Sequence, residues 1–288
     1  METAQQQKYK SFKALHHYDG AFVMPNPWNA GSAIILEQSG FKALATTSAG
    51  YAFEAGQRDS SGVVSRADIL ANARAIVQAT SLPVSADLED GFGVAPDICH
   101  ETIGLAVKAG LVGGSIEDAT SDADKPILPL DISVERTKAA VSAAHGQPFM
   151  LTARAENYLW DNPDLGDTIR RLQAFDLAGA DVLYAPGLEN LDDIRTLCGA
   201  VDKPVNVVMG LQNALYSVEQ LSEAGVKRIS VGCSFARAAY GAMIMAAAKV
   251  QQHGTFTYAR DAIPDHVINQ MMSAKNAPAG HSISLLQR

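Results

Sequence analysis

The sequence predicts an α/β fold, a (β/α)₈ barrel, from three observations. Short β-prone runs alternate with helical stretches from residue 20 to residue 253. The repeat period is roughly 25 to 35 residues, the length of a strand, a helix and their two turns. The phrases Glu37-Gln38-Ser39-Gly40-Phe41, Val107-Lys108-Ala109-Gly110-Leu111, Leu177-Ala178-Gly179-Ala180-Asp181 and Ser222-Glu223-Ala224-Gly225-Val226 recur just ahead of strands. Each supplies a helix-ending Gly and then an entry into the next element. An open doubly wound sheet is the alternative, but no G-x-G-x-x-G follows a strand.

The elements follow in order. Residues 1–19 read as an N-terminal helix, and the apolar run Phe22-Val23-Met24 as the first strand, stopped by Pro25 and Pro27. A helix over 30–38 ends at Gly40. The second strand covers 43–48, and 51–64 is a Gly- and Asp-containing loop. Ser65 caps a helix reaching residue 79, with Asp68 in its first turn. Strands then fall over 83–89, 113–118, 149–154, 182–186, 204–209 and 228–231. Helices fall over 96–109, 132–145, 165–178, 191–200 and 217–224. The helix over 235–253 is apolar nearly all round, so it is buried, either within its own chain or against another subunit. The division is one domain over 1–288: an N-terminal helix (1–19), the barrel (20–253) and a C-terminal extension (254–288).

The totals exclude some functions. A net charge of −8 without a basic run argues against a nucleic-acid surface. No stretch of 18 or more apolar residues spans a membrane, and the polar N-terminus lacks a signal-peptide apolar core. Three cysteines without a CxxC spacing fit a reducing compartment, so the expected location is cytoplasmic.

Barrels place their active sites at the carboxyl ends of the strands. Asp87 and Glu89 close one strand two residues apart, on one side if extended, and Glu117 closes the next. Carboxylates this close repel unless a cation lies between them. Oxygen ligands without His or Cys suit a hard ion, Mg²⁺, or Mn²⁺ in its stead. Ser48, Arg154 and Asn206 are the other polar strand ends. Each has a bland alternative. Arg154 would balance Glu117 or Asp118, Ser48 would cap a turn, Asp59 would form an Asx-turn, and Asn206 would bond buried backbone.

These pieces resemble the isocitrate lyase / phosphoenolpyruvate mutase superfamily. The matches are Asn26-Pro27-Trp28-Asn29, Thr46-Thr47-Ser48-Ala49-Gly50, Arg58-Asp59, 87–93 (Asp-Leu-Glu-Asp-Gly-Phe-Gly), Ser115-Ile116-Glu117-Asp118 and Thr152-Ala153-Arg154. The resemblance implies a barrel with its last helix swapped between subunits of a homotetramer, a dimer of dimers. It also implies Mg²⁺ and a small carboxylate substrate. By the same resemblance Asp87, Glu89 and Glu117 form the metal site. Arg154 neutralises substrate and enolate charge, while Ser48 with the N–H groups of Ala49 and Gly50 grips a substrate carboxylate. Asp59 lies near the reaction centre. The proton carrier is open among Asp59, Tyr51 and Glu156, and Asn206 is a further substrate contact.

The implied chemistry is an Mg²⁺-dependent lyase. It would cleave a C–C bond, or decarboxylate, in a small 2-keto or 2-hydroxy di-acid such as oxaloacetate. Phosphonopyruvate hydrolase or mutase chemistry is the alternative, and a non-catalytic metabolite-binding barrel the third. Isocitrate and methylisocitrate lyases carry a Lys-x-Cys-Gly-His loop, whereas 119–126 (Ala-Thr-Ser-Asp-Ala-Asp-Lys-Pro) has no Cys and no His. Gly187 also stands where those lyases place a Glu. On this ground the expectation is that the chain is neither of those two lyases.

Overall fold

The structure is a computed structural model that describes residues 2–59, 63–120, 122, 124–211 and 215–273. Part of the expected C-terminal extension, 274–288, lies outside the described residues.

Eight strands, β1 (Phe22–Met24), β2 (Leu44–Ala45), β3 (Val84–Asp87), β4 (Gly113–Glu117), β5 (Met150–Arg154), β6 (Val182–Tyr184), β7 (Val205–Val208) and β8 (Arg228–Ser230), form one parallel sheet. Its order is β1-β8-β7-β6-β5-β4-β3-β2. The barrel is nearly closed: the Ala45 N–H on β2 donates to the Pro25 carbonyl just past β1 at 3.0 Å. Ahead of β1 lies helix α1 (Ala4–Leu15), and between β1 and β2 lies α2 (Ala30–Gln38). Between β2 and β3 come α3 (Ser48–Glu54) and α4 (Arg66–Ala79). One helix follows each of the next strands: α5 (Pro96–Lys108), α6 (Leu130–Ala144), α7 (Leu165–Leu177), α8 (Leu191–Gly199) and α9 (Val218–Glu223). Past β8 run α10 (Ser234–His253) and α11 (Asp265–Ser273).

Local chemistry explains the starts. Ser65 accepts from the Asp68 N–H and Asp68 reaches back, a capping box for α4. Ser217 and Gln220 do the same for α9, and Asn29 with Ser32 for α2. Two sequence expectations need correcting. The 51–64 loop is helical in its first part, because Thr47 caps α3 by accepting from the Gly50 N–H. The strand expected over 83–89 ends at Asp87, and Glu89 turns with φ of 49°. Asp87 and Glu89 therefore do not share one face of an extended strand.

Apolar layers fill both sides of the sheet. One lies between β2–β5 and α2–α6, a second between β5–β8 and α7–α9. A third, with Phe12, Met24, Val112, Met150 and Val182, plugs the amino end of the barrel with α1. There is no room for a side chain at the first two positions of β4: a Cβ on Gly114 would lie 2.7 Å from Leu88 Cδ1, and one on Gly113 3.0 Å from Phe12 Cε1.

His16, at the end of α1, sits edge-on between Phe12 and Phe22 with ring centroids 4.7 and 5.0 Å away. Its Nδ1–H donates to the Phe12 carbonyl at 2.8 Å. Burial, with Arg228 adding repulsion, lowers its pKa to about 3. The folded chain thus refuses a proton that the unfolded chain accepts below pH ~6.5. Stability from this group is complete above that value and falls as pH falls. Between pH 7 and 5 the wild type is expected to lose about 2 kcal/mol more than His16→Gln in urea unfolding. Equal losses in the two proteins would refute this.

Candidate active site

A cavity of about 640 Å³ opens at the carboxyl ends of the strands. Parallel pairing sets Glu117, Arg154, Tyr184, Asn206 and Arg228 in register across β4 to β8. All five line the cavity, with Ser48, Ala49, Asp59, Asp87, Glu89 and Glu156.

Arg154 is its hub, and each guanidinium nitrogen takes a different carboxylate. Nη1 lies 2.9 Å from Asp87 Oδ1, Nη2 3.1 Å from Glu117 Oε2, and Nε 2.7 Å from Glu156 Oε1. The Tyr184 ring lies beneath, 4.9 Å from the guanidinium carbon to the centroid. Burial works against the charge, but Glu156, Glu117 and Asp87 raise Arg154 well above its ordinary value.

One cation cannot satisfy the acids around it. Burial raises Glu117 well above the usual range; Arg154 pulls it down while Glu156, Asp87 and Glu89 push it up. Glu156 is raised by burial against the pull of Arg154. Glu89 is pushed up to about 8 by burial and by Asp87, Asp90 and Asp59. Asp59 rises through burial and Asp87. Five carboxylates surrounding one guanidinium leave an excess of hard anionic oxygens, the donor set that fits Mg²⁺. Among the described residues no three acidic, His or Cys side chains converge into a finished metal cage. An Mg²⁺ ion there would keep several waters and take carboxylates partly through them. Asp87, Glu89 and Glu117 remain the residues that would hold it.

The acidic turn is itself tightly held. Arg136 on α6, 1% exposed, donates to the carbonyls of Asp90 and Gly93 and, at 3.4 Å, of Glu117. The Glu117 N–H donates to the Glu89 carbonyl at 3.0 Å. These bonds sustain the left-handed backbone at Glu89 and Phe92, which costs roughly 1 kcal/mol or more at each non-glycine. Asp118 positions Glu156 by accepting its N–H at 2.8 Å, and is held by Arg171 Nη1 at 3.1 Å.

Not every expected residue reaches the cavity. Ser48 does, but its Oγ–H and N–H both donate to Asp87 Oδ2, at 2.8 and 3.3 Å. The Gly50 N–H is committed to the Thr47 cap. Tyr51 lies further along α3, packed against the outer apolar layer, so the structure does not bring it to the reaction centre. The helical turn that starts at Ser48 is the reason for both corrections. Asn206 is buried and bonds side chains: Oδ1 accepts from Arg228 Nε at 2.8 Å, and Nδ2 donates to Ser230 Oγ at 3.1 Å.

Arg228 escaped the sequence reading. It crosses the barrel interior to Thr152 Oγ1 at 2.9 Å, while Nη1 has no hydrogen-bond partner among the described residues. Burial, opposed only in part by the nearby Tyr184 phenol, lowers its pKa to about 9. A signal was available, since Arg228 and Ser230 occupy alternate positions of an otherwise apolar strand.

The comparisons identify the family and the fold. The phosphoenolpyruvate phosphomutase family model matches residues 12–251. A 2-methylisocitrate lyase of Shewanella oneidensis is 32% identical over 232 residues, covering 78% of this chain and 77% of its own. A candidate lyase/mutase of Burkholderia cenocepacia J2315 superposes with TM-score 0.91 at 54% identity, covering 93% of this chain and 97% of its own. A 2,3-dimethylmalate lyase superposes with TM-score 0.82 at 27% identity, covering 94% and 95%. The Shewanella relative overturns the expectation that the chain is set apart from methylisocitrate lyases. That expectation rested on the 119–126 loop and on Gly187 after β6, both in loops at the barrel mouth, and such loops vary while the strands beneath them persist.

Proposed function

Because the chain belongs to the phosphoenolpyruvate phosphomutase family, we propose that it is an Mg²⁺-dependent lyase acting on a small 2-keto or 2-hydroxy di-acid. It cleaves a C–C bond, or releases CO₂, next to the carbon that becomes an enolate. The observation that carries this reading is the Arg154 fork held among Asp87, Glu117 and Glu156 at the strand ends. Bound Mg²⁺ supplies a Lewis acid for the oxygen on which charge gathers.

The chain's own residues do the rest. Arg154 donates charge-assisted hydrogen bonds to the substrate's carboxylate edge and to the growing oxyanion, in a site dry enough to strengthen them. Ser48, already aimed at Asp87 Oδ2, can turn its Oγ–H and N–H to a substrate carboxylate and so orient the scissile bond. Burial raises both Glu156 and Asp59 above the usual carboxylate range, which brings them closer to the work of accepting or returning a proton. Decarboxylation of a 3-carboxy-2-keto acid needs no base to begin.

The assay is enolate-derived keto-acid release from a panel of 2-hydroxy and 2-keto di-acids, with 2-methylisocitrate and phosphonopyruvate included. The expected result is Mg²⁺-dependent turnover of a carbon substrate, abolished by EDTA and restored by Mg²⁺ or Mn²⁺. Turnover of phosphonopyruvate alone would move the reading to C–P chemistry. No turnover, with no binding of oxalate in the presence of Mg²⁺, would end it.

The enzyme is further proposed to be a cytoplasmic homotetramer. In one chain Met243, Ile244 and Met245 on α10 are 61%, 62% and 64% exposed, an apolar stretch that a second copy would cover. Light scattering on a sizing column reads this directly: a monomer would refute it.

A further inference from the structure

The interior of a (β/α)₈ barrel is ordinarily filled by bulky branched apolar side chains. Beneath the ring of carboxylates this one is small and polar. Ser85, Ser115 and Thr152 stand two residues before Asp87, Glu117 and Arg154 on β3, β4 and β5. They therefore share a side with those residues and lie about 7 Å deeper. Asn206 and Ser230 complete the layer from β7 and β8, and all five are buried. Ser85, Ser115, Asn206 and Ser230 line the cavity, and Arg228, 3% exposed, lines it with them.

Arg228 is placed unlike Arg154. Its Nε donates to Asn206 Oδ1 at 2.8 Å and its Nη2 to Thr152 Oγ1 at 2.9 Å, which fixes the guanidinium across the interior. Both partners are neutral, and among the described residues Arg228 forms no ion pair. Its Nη1 is buried without a hydrogen-bond partner among them. Spare donors lie in the same layer. Ser115 stands beside Thr152 in the β4–β5 register, and the hydroxyls of Ser85 and Ser115 donate to no other described residue. A buried N–H left bare costs its desolvation, and a buried charge without a counter-charge costs more. A water would satisfy the N–H but leave the charge unbalanced. An anion answers both.

We infer that Arg228 and the hydroxyl layer around it form a binding site for one compact monovalent anion, a halide or a formate-sized carboxylate, in the barrel interior beneath the acidic ring. One guanidinium balances one negative charge, and the neutral hydroxyls and amide around it supply hydrogen bonds without adding charge. A divalent anion would leave a charge uncompensated there. The site is separate from the carboxylate cluster and does not depend on the reaction proposed for it. Its occupant ties β8 to β4 and β5 through Arg228 and Thr152, so binding is linked to the stability of the barrel.

The test is thermal unfolding of the full chain in halide-free buffer, titrated with sodium bromide or sodium formate. Sodium isethionate, whose anion is too bulky for the layer, holds the ionic strength constant. Between 1 and 100 mM bromide the midpoint of the wild type is expected to rise by roughly 5 °C. Arg228→Met, which keeps the bulk and removes the charge, is expected to lose that response, and Arg228→Lys to keep part of it. Crystals of the wild type soaked in bromide give a second reading that needs no variant: an anomalous peak within hydrogen-bond reach of Arg228 Nη1. Formate that raises the midpoint and displaces the bromide peak would identify the site as one for carboxylates as well as halides. A bromide peak that formate leaves in place would restrict it to halides. A midpoint indifferent to bromide, or a water in place of bromide at Nη1, would overturn the inference. So would a bromide response that Arg228→Met retains in full.

Discussion

Arg154→Lys is expected to lower kcat/KM on the substrate found in the panel assay by on the order of 10³-fold, because a single ammonium replaces a planar fork. The three nitrogens of Arg154 serve Asp87, Glu117 and Glu156 at 2.9, 3.1 and 2.7 Å. A lysine ammonium can approach one or two of these acids, and cannot then present two parallel N–H donors to a carboxylate edge. The substitution keeps the positive charge, so a purely charge-balancing role for Arg154 predicts near-normal kinetics. Activity within tenfold of wild type would support that blander role. Arg154→Met goes further and leaves buried Glu156 and half-buried Asp87 and Glu117 without that cation, a change worth at most roughly 3 kcal/mol when they are ionised. Glu117 and Glu156 are raised in the folded state and are penalised more as pH rises from their unfolded towards their folded values, so Arg154→Met should lose more stability at pH 8 than at pH 6. Urea unfolding at the two values reads the sign.

Asp87→Asn is the second large effect. Asp87 accepts from Ser48 Oγ and N, from Arg154 Nη1 and, at 3.4 Å, from the Glu89 N–H. Asparagine has nearly the same shape but brings an NH₂ group to face donors, and it removes one of the charges that would hold the ion. Calorimetry should show oxalate binding in Mg²⁺ weakened at least ~100-fold, with turnover falling on the order of 10³-fold. Circular dichroism and an unchanged elution volume guard against misfolding as the cause. If oxalate binds in Mg²⁺ as in wild type, the ion is held somewhere other than the Asp87 cluster.

Much of this site was legible in the amino-acid order. Asp87, Glu117 and Arg154 end strands, and the βα period places strand ends together, so their gathering at one cavity follows from pattern and topology. What misled was local geometry that pattern cannot supply. Alternation put Asp87 and Glu89 on one face, but the chain turns left-handed at Glu89, and the carbonyl bonds of Arg136 that sustain the turn come from a helix more than forty residues away. Thr47 rather than Ser48 caps α3, which withdrew the Gly50 N–H and Tyr51 from the cavity. The alternation of Arg228 and Ser230 marks one face of β8 as polar, but it does not name Thr152, 76 residues away, as the partner Arg228 reaches.

The sequence by itself determined the barrel, its order of elements and the strand ends that carry charge, because periodicity, capping and helix-ending glycines act over a few residues each. Only the tertiary structure decided that Arg154 stands between the acids, that Arg136 and Asp118 hold them in place, and that Arg228 reaches across to Thr152. Such arrangements depend on distances between segments far apart in the chain, set by how the strands close and the layers pack, and no short-range pattern encodes them.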